Sequence, residues 1–154
     1  MREADLYPLV RDWLIARGYQ VHVEVFGHDV AAFKNGAWTV VELKTSMTWR
    51  LMRQLESAAA WADFVMAAVP TEQKKFGGLR SHGFGLLQVD FPERKIRQRV
   101  HPKQQPFGWH KRRAYRIKKL SERTPALEHE MAGLPCSGAL RIQRDVRQSL
   151  GHAR

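Results

Sequence analysis

The sequence predicts an α/β fold, a mixed β-sheet flanked by helices, with a basic helical C-terminal extension. Three observations carry that expectation. Over the first hundred positions the apolar pattern changes period repeatedly, in the order α-β-β-β-α-β-β. Asn35-Gly36 stands between two apolar runs, the strongest short-range hairpin signal. The charge is divided: residues 1–70 carry 7 Lys+Arg and 8 Asp+Glu, whereas residues 71–154 carry 19 and 7. The chain is therefore read as a core over residues 1–100 and a basic extension over 101–154.

Each element follows from local pattern. Asp5 to Arg17 is a helix, because Leu6, Leu9, Val10, Trp13 and Leu14 recur at helical spacing and Gly18 follows as a stop. Tyr19 to Phe26 alternates, with Tyr19, Val21, Val23 and Val25 on one face and Gln20, His22 and Glu24 on a polar face. His28 to Lys34 and Ala37 to Lys44 are the arms of a hairpin closed by Asn35-Gly36. Thr48 to Trp61 is a helix with Leu51, Leu55, Ala58, Ala59 and Ala62 on one stripe. Phe64 to Val69 is a continuous apolar run, so a strand buried on both faces, and Pro70 ends it. Thr71 to Gly83 is a polar, glycine-containing loop or short helix, and its glycines read as a flexible connection. Phe84 to Val89 is a strand, and Lys95 to Val100 a last edge strand. Pro102, Pro106 and Gly108 mark a boundary, beyond which Trp109–Leu120, Pro125–Met131 and Ala139–Leu150 read as helices.

Composition excludes several classes. The chain of 154 residues has 44% hydrophobic residues and 10% aromatics, too many for a disordered protein. Its single cysteine, Cys136, rules out an internal disulfide and a cysteine-based zinc cluster and fits a reducing, cytoplasmic compartment. No apolar run reaches the roughly 18 residues of a membrane span. The net charge of +11 sits wholly in the second half. There the block His110–Lys119 interleaves cations with Tyr115. Lys111, Arg112, Arg113, Arg116, Lys118 and Lys119 are the expected phosphate contacts, and nucleic acid, DNA first, the expected partner. Trp109 and Tyr115 are candidate stacking groups, while Trp13, Trp38, Trp49 and Trp61 fall on apolar stripes and read as core.

The hairpin carries the chemistry. A two-residue turn pairs Lys34 with Ala37 and Phe33 with Trp38, and the register then sets Asp29 opposite Glu42. Directly opposed residues have Cβ atoms about 5 Å apart. Two carboxylates so placed among Val30, Ala31, Val40, Val41 and Leu43 repel unless a cation lies between them. A divalent cation with oxygen ligands meets that need, and Mg²⁺ takes one or two carboxylates plus substrate phosphate. Lys44 shares the face of Glu42 and could polarise or deprotonate an attacking water. The plainer alternative is that Asp29 starts a strand at a turn and that Glu42 and Lys44 lie on a solvated face. Alternation puts His28 on the opposite face from Asp29, as a structural residue.

These residues resemble the core of the PD-(D/E)XK nuclease superfamily. The resemblance runs over roughly residues 5–90, through a helix, Glu24 in a strand, HDVAAF, TVVELK, and a second helix with Gln54. Asp29 matches the motif's aspartate and Glu42 and Lys44 its E-x-K, with His28 where the motif's name has proline. Glu24 matches an acidic residue many members carry, and Gln54 a glutamine that several place near the site. The resemblance implies a restriction-endonuclease-like mixed sheet between helices. It also implies phosphodiester hydrolysis dependent on Mg²⁺ or Mn²⁺, with Glu24, Asp29 and Glu42 as metal ligands and Gln54 at the site. It is similar to bacterial and phage members with a basic tail. A homodimer is left open. The competing reading is a non-catalytic nucleic-acid-binding protein that retains the nuclease fold.

Other signals are weaker. Gly77, Gly78, Gly83 and Gly85 lack the pattern of a phosphate loop, and Glu128-His129-Glu130 lacks the second histidine of a zincin helix. Cys136 has no evident base partner. The tail from Thr124 onward has the outline of a helix-turn-helix, although two capping helices would read the same.

Overall fold

The first helix begins at Glu3 because Leu6, Leu9, Val10 and Leu14 form one apolar stripe, and all four are buried. The structure is a computed structural model and describes residues 1–71 and 77–106. The expected tail helices, Cys136, the basic block Lys111–Lys119 and the helix-turn-helix outline lie outside the described residues. Within them the order is α1 (Glu3–Ala16), β1 (Gln20–Val25), β2 (His28–Lys34), β3 (Ala37–Leu43), α2 (Trp49–Ala59), β4 (Phe64–Pro70), α3 (Gly77–Ser81), β5 (Gly85–Asp90) and β6 (Lys95–Val100). This is the expected α/β architecture, a mixed sheet flanked by helices.

The six strands lie in sequence order. The pairs β1–β2, β2–β3 and β5–β6 are antiparallel, whereas β3–β4 and β4–β5 are parallel and joined through α2 and α3. Parallel neighbours need such crossovers, and their strands are covered on both faces. Accordingly β4 is buried from Val65 to Pro70 and β5 from Gly85 to Val89. One face, with Val30, Ala32, Val41, Leu43, Met66, Ala68, Leu87 and Val89, packs on the α1 stripe. The other carries Trp38 and Val40, and α2 contributes Leu51, Leu55 and Ala58 to the buried interior.

Two turns set the antiparallel register. Asn35 (φ 51°) and Gly36 (φ 76°) are both left-handed, as a two-residue hairpin turn of type I′ requires. Pairing then runs from Lys34↔Ala37 to Val30↔Val41, as the sequence predicts. Phe26 (φ 57°) and Gly27 (φ 75°) make the corresponding turn between β1 and β2. Glu24 is also left-handed (φ 54°), and it drops out of the ladder between Val23↔Val30 and Val25↔His28.

The polar face expected for β1 is not a solvent face. His22 is buried, its ring 6.2 Å from that of Trp38, because the sheet is covered on both sides. Its Nε2 has no hydrogen-bond partner, and burial pushes the imidazole pKa down to about 4.

The glycine stretch also differs from expectation. Gly77 and Gly78 open α3, and Gly85 lies inside β5 against Pro102. A Cβ on Gly85 would stand 2.7 Å from Met66 Cγ and 2.8 Å from Pro102 Cδ, so close packing rather than flexibility explains this glycine. The chain after β6 returns along the core. Lys103 N–H donates to the Gly83 carbonyl and Gln105 N–H to that of Asp63, and the core unit runs to Pro106.

Two outcomes follow for stability. Gly85→Ala should lower the unfolding free energy by about 1–3 kcal/mol, read from denaturant midpoints at unchanged slope. For His22, the unfolded chain binds more protons than the fold between its ordinary pKa of about 6.5 and the lowered one. Stability from this residue is therefore present above pH 6.5 and lost towards pH 4, by about 3 kcal/mol in all. His22→Leu should flatten the dependence in that window; an unchanged slope would show that His22 does not supply it.

Candidate active site at the end of the β2–β3 hairpin

The hairpin register carries Asp29 and Glu42 to the same end of the sheet, where β3 meets β4. Glu42 is fully buried. Asp29 is partly buried, and its Oδ2 accepts the Leu43 N–H at 2.8 Å. Burial raises the Asp29 pKa, and the neighbouring Glu42 raises it further, against the Leu43 N–H and the Lys44 charge, which lower it. The two carboxyls thus meet just beyond the last ladder pair, Val30↔Val41. One Glu42 oxygen, Oε1, accepts a hydrogen bond from His28 Nδ1–H. The other, Oε2, is buried with no hydrogen-bond partner. Asp29 stands against Glu42, so a proton on either acid would relieve the repulsion between them.

Lys44 follows the last residue of β3, and its N–H donates to the Ala68 carbonyl, so the ladder still fixes its backbone. Its ammonium donates to Glu3 Oε2 at 2.9 Å, on the first turn of α1. Glu3, Lys44, Ser46, Thr48, Trp49 and Arg50 line an open cavity of about 420 Å³. Thr48 caps α2 by accepting the Leu51 N–H at 3.3 Å, which fixes where the helix starts beside that cavity.

Asp29 and Glu42 therefore meet, and Lys44 lies close enough to bear on the charge of Asp29. Glu24 is exposed, and among the described residues no three His, Cys, Asp or Glu side chains form a group arranged to hold a metal ion. Gln54 lies on α2 with its Oε1 buried and without a hydrogen-bond partner.

Three residues went unmarked by the sequence pattern. His28 does not turn away from the acids: it bonds Glu42, and its ring lies 5.9 Å from that of Trp61, which also packs on Phe26 and Trp38. His28 is the first residue of β2, directly after the left-handed Phe26 and Gly27 and opposite the stretch where Glu24 leaves the ladder. Glu3 is 41 positions from Lys44, and no local pattern could link them. Trp49 is not core but 69% exposed, whereas Trp38 and Trp61 are buried as expected.

No protein-family model matches the chain, and no curated protein matches it. Among solved structures it is similar to the SPO1766 protein of unknown function from Silicibacter pomeroyi. The identity is 21% and the TM-score 0.52, over 80% of this chain and 88% of that one. That likeness concerns the fold alone. Among the described residues no helix is long and apolar enough to cross a membrane.

The acid pair has a measurable signature. Because the Asp29 pKa is raised, the stability it contributes is present below the ordinary carboxylate range and lost as pH rises through the raised value. In chelator at neutral pH, Asp29→Asn should therefore be more stable than wild type by roughly 0.5–1 kcal/mol, and the gain should vanish in acid. Mg²⁺ should raise the melting temperature of wild type more than that of the variant; equal shifts would mean that no cation bridges this pair.

Proposed function

We propose that the protein is a metal-dependent nuclease that hydrolyses phosphodiester bonds of DNA. The observation that carries the reading is the opposed pair of Asp29 and Glu42 with Lys44 two residues beyond Glu42. The donors suit Mg²⁺ or Mn²⁺: two carboxylates, one with a buried oxygen that lacks any partner. Hard cations take oxygen ligands, and Mg²⁺ needs only one or two from protein, the rest coming from water and phosphate. Asp29 and Glu42 would hold the ion, with Glu24 and Gln54 as further candidates from the family resemblance. When bound, the metal would neutralise phosphate charge and lower the pKa of a water. His28 fixes one oxygen of Glu42 and leaves the other free. Once released from Glu3, Lys44 would orient and polarise the attacking water as an ammonium, or accept its proton only after giving up one of its own. The basic second half, with Lys111, Arg112, Arg113, Arg116, Lys118 and Lys119, would hold the phosphate backbone.

One observation favours a second reading. The Lys44 ammonium is already paired with Glu3, and Glu42 with His28, as in a site that no longer needs either group free. On that reading the chain binds nucleic acid without cutting it.

Labelled DNA and RNA, single-stranded, duplex and branched, incubated with Mg²⁺, Mn²⁺ or chelator, separates the two. Cleavage should require the metal. Asp29→Ala, Glu42→Gln and Lys44→Ala should each lower it by roughly 100-fold or more while circular dichroism stays native. Cleavage that persists in excess chelator would overturn the metal-dependent reading. Metal-independent binding with no cleavage of any substrate would establish the second.

A further inference from the structure

Trp49 is the one large aromatic exposed among the described residues, and it stands in the cavity that Lys44 also lines. An exposed indole loses the hydrophobic gain of burial, and single apolar groups on a surface need no explanation. Trp49, however, sits mostly among cations and hydroxyls, and the carboxylate in the lining, Glu3, is paired with Lys44. Arg50 lines the same cavity, and the Arg53 guanidinium lies 5.6 Å from the indole centroid. Ser46 and Thr48 add hydroxyls, and all three of Ser46, Thr48 and Arg50 are exposed. Cations and hydroxyls around an open aromatic face are what a nucleotide requires, with phosphate on the cations and the base on the ring.

We infer that Trp49 is a stacking platform for the base next to the scissile phosphate, and that the substrate is single-stranded nucleic acid. The inference rests on the nuclease reading for the meaning of Lys44 and adds the class of strand to it. In a duplex both faces of a base are covered by its neighbours, so a side chain can stack on it only after the base is unpaired and swung out. A single strand presents its bases without that cost. Arg53 occupies one side of the indole and would be displaced or remain as the third layer. Arg50 would meet the adjacent phosphate, on the same rim as Lys44.

The test uses the full chain in chelator, so that binding is measured without cleavage. The probes are a fluorescent oligodeoxythymidine and a duplex of equal length, followed by anisotropy at moderate salt. Trp49→Ala should weaken single-strand binding about tenfold and change duplex binding by less than about twofold, while Trp49→Phe retains most of the affinity. Tryptophan emission should be quenched by the single strand in wild type and less so in Trp49→Phe. Equal loss on both probes, or no loss on either, would overturn the inference. If wild type cleaves in Mg²⁺ yet Trp49→Ala binds and cleaves single strands as wild type does, stacking fails and the nuclease reading stands. If wild type binds the single strand through Trp49 but cuts nothing, the nuclease reading fails and the platform stands.

Discussion

The two-residue turn at Asn35-Gly36 governs much of this structure. Both residues adopt left-handed backbone angles, which few residue types tolerate and which match the twist of the flanking strands. With the turn set, every pair down to Val30↔Val41 is set as well. A slip of one residue would exchange the faces of the strand. Val41 and Leu43 would leave the α1 stripe, and Glu42 would enter it without His28. Burying a carboxylate among leucines without a partner costs several kcal/mol, so turn chemistry and apolar pattern enforce the same register.

The site inherits its electrostatics from that register. Glu42 is fully enclosed, and the rings of Phe26 and Trp61 pack at the His28 end of the hairpin, with Trp38 on the far side of Trp61. Burial disfavours the ionised carboxyl of Asp29, and the neighbouring Glu42 adds to the upward push on its pKa. The same enclosure leaves one Glu42 oxygen without a donor. Such groups are rare in folded proteins and call for an explanation by ligand or water. Lys44 connects this interior to α1 through Glu3, so the position of the first helix and the charge at the site are linked.

Much of this was legible in the residues, and the exceptions have physical causes. Alternation, continuous apolar runs and helical spacing located α1, α2 and all six strands, and the Asn-Gly turn placed Asp29 and Glu42 together. Alternation failed at His28, the first residue of β2, beside a stretch with three left-handed residues, and nothing in the sequence marks Glu24 or Phe26 as left-handed. The polar face expected for Gln20, His22 and Glu24 holds a buried His22, because what covers a strand face is not written in the strand itself. Trp49 was misread for a geometric reason. A helical side chain leans over the turn before its own Cα, and Trp49, as the first residue of α2, has no preceding turn to cover. Glu3 and Lys44 illustrate the remaining gap, a contact between distant segments that only the assembled fold defines.

Among the described residues the sheet ends on one side at β6, where Lys95, Arg97 and Arg99 are exposed and alternate with Ile96 and Gln98. An open strand edge is a template for pairing with another chain, and closely spaced cations are a common defence against it. A second β6 laid alongside would bring six positive side chains together along one seam. Growth of the sheet by edge-to-edge addition of a second copy of β6 is therefore opposed by charge on this side.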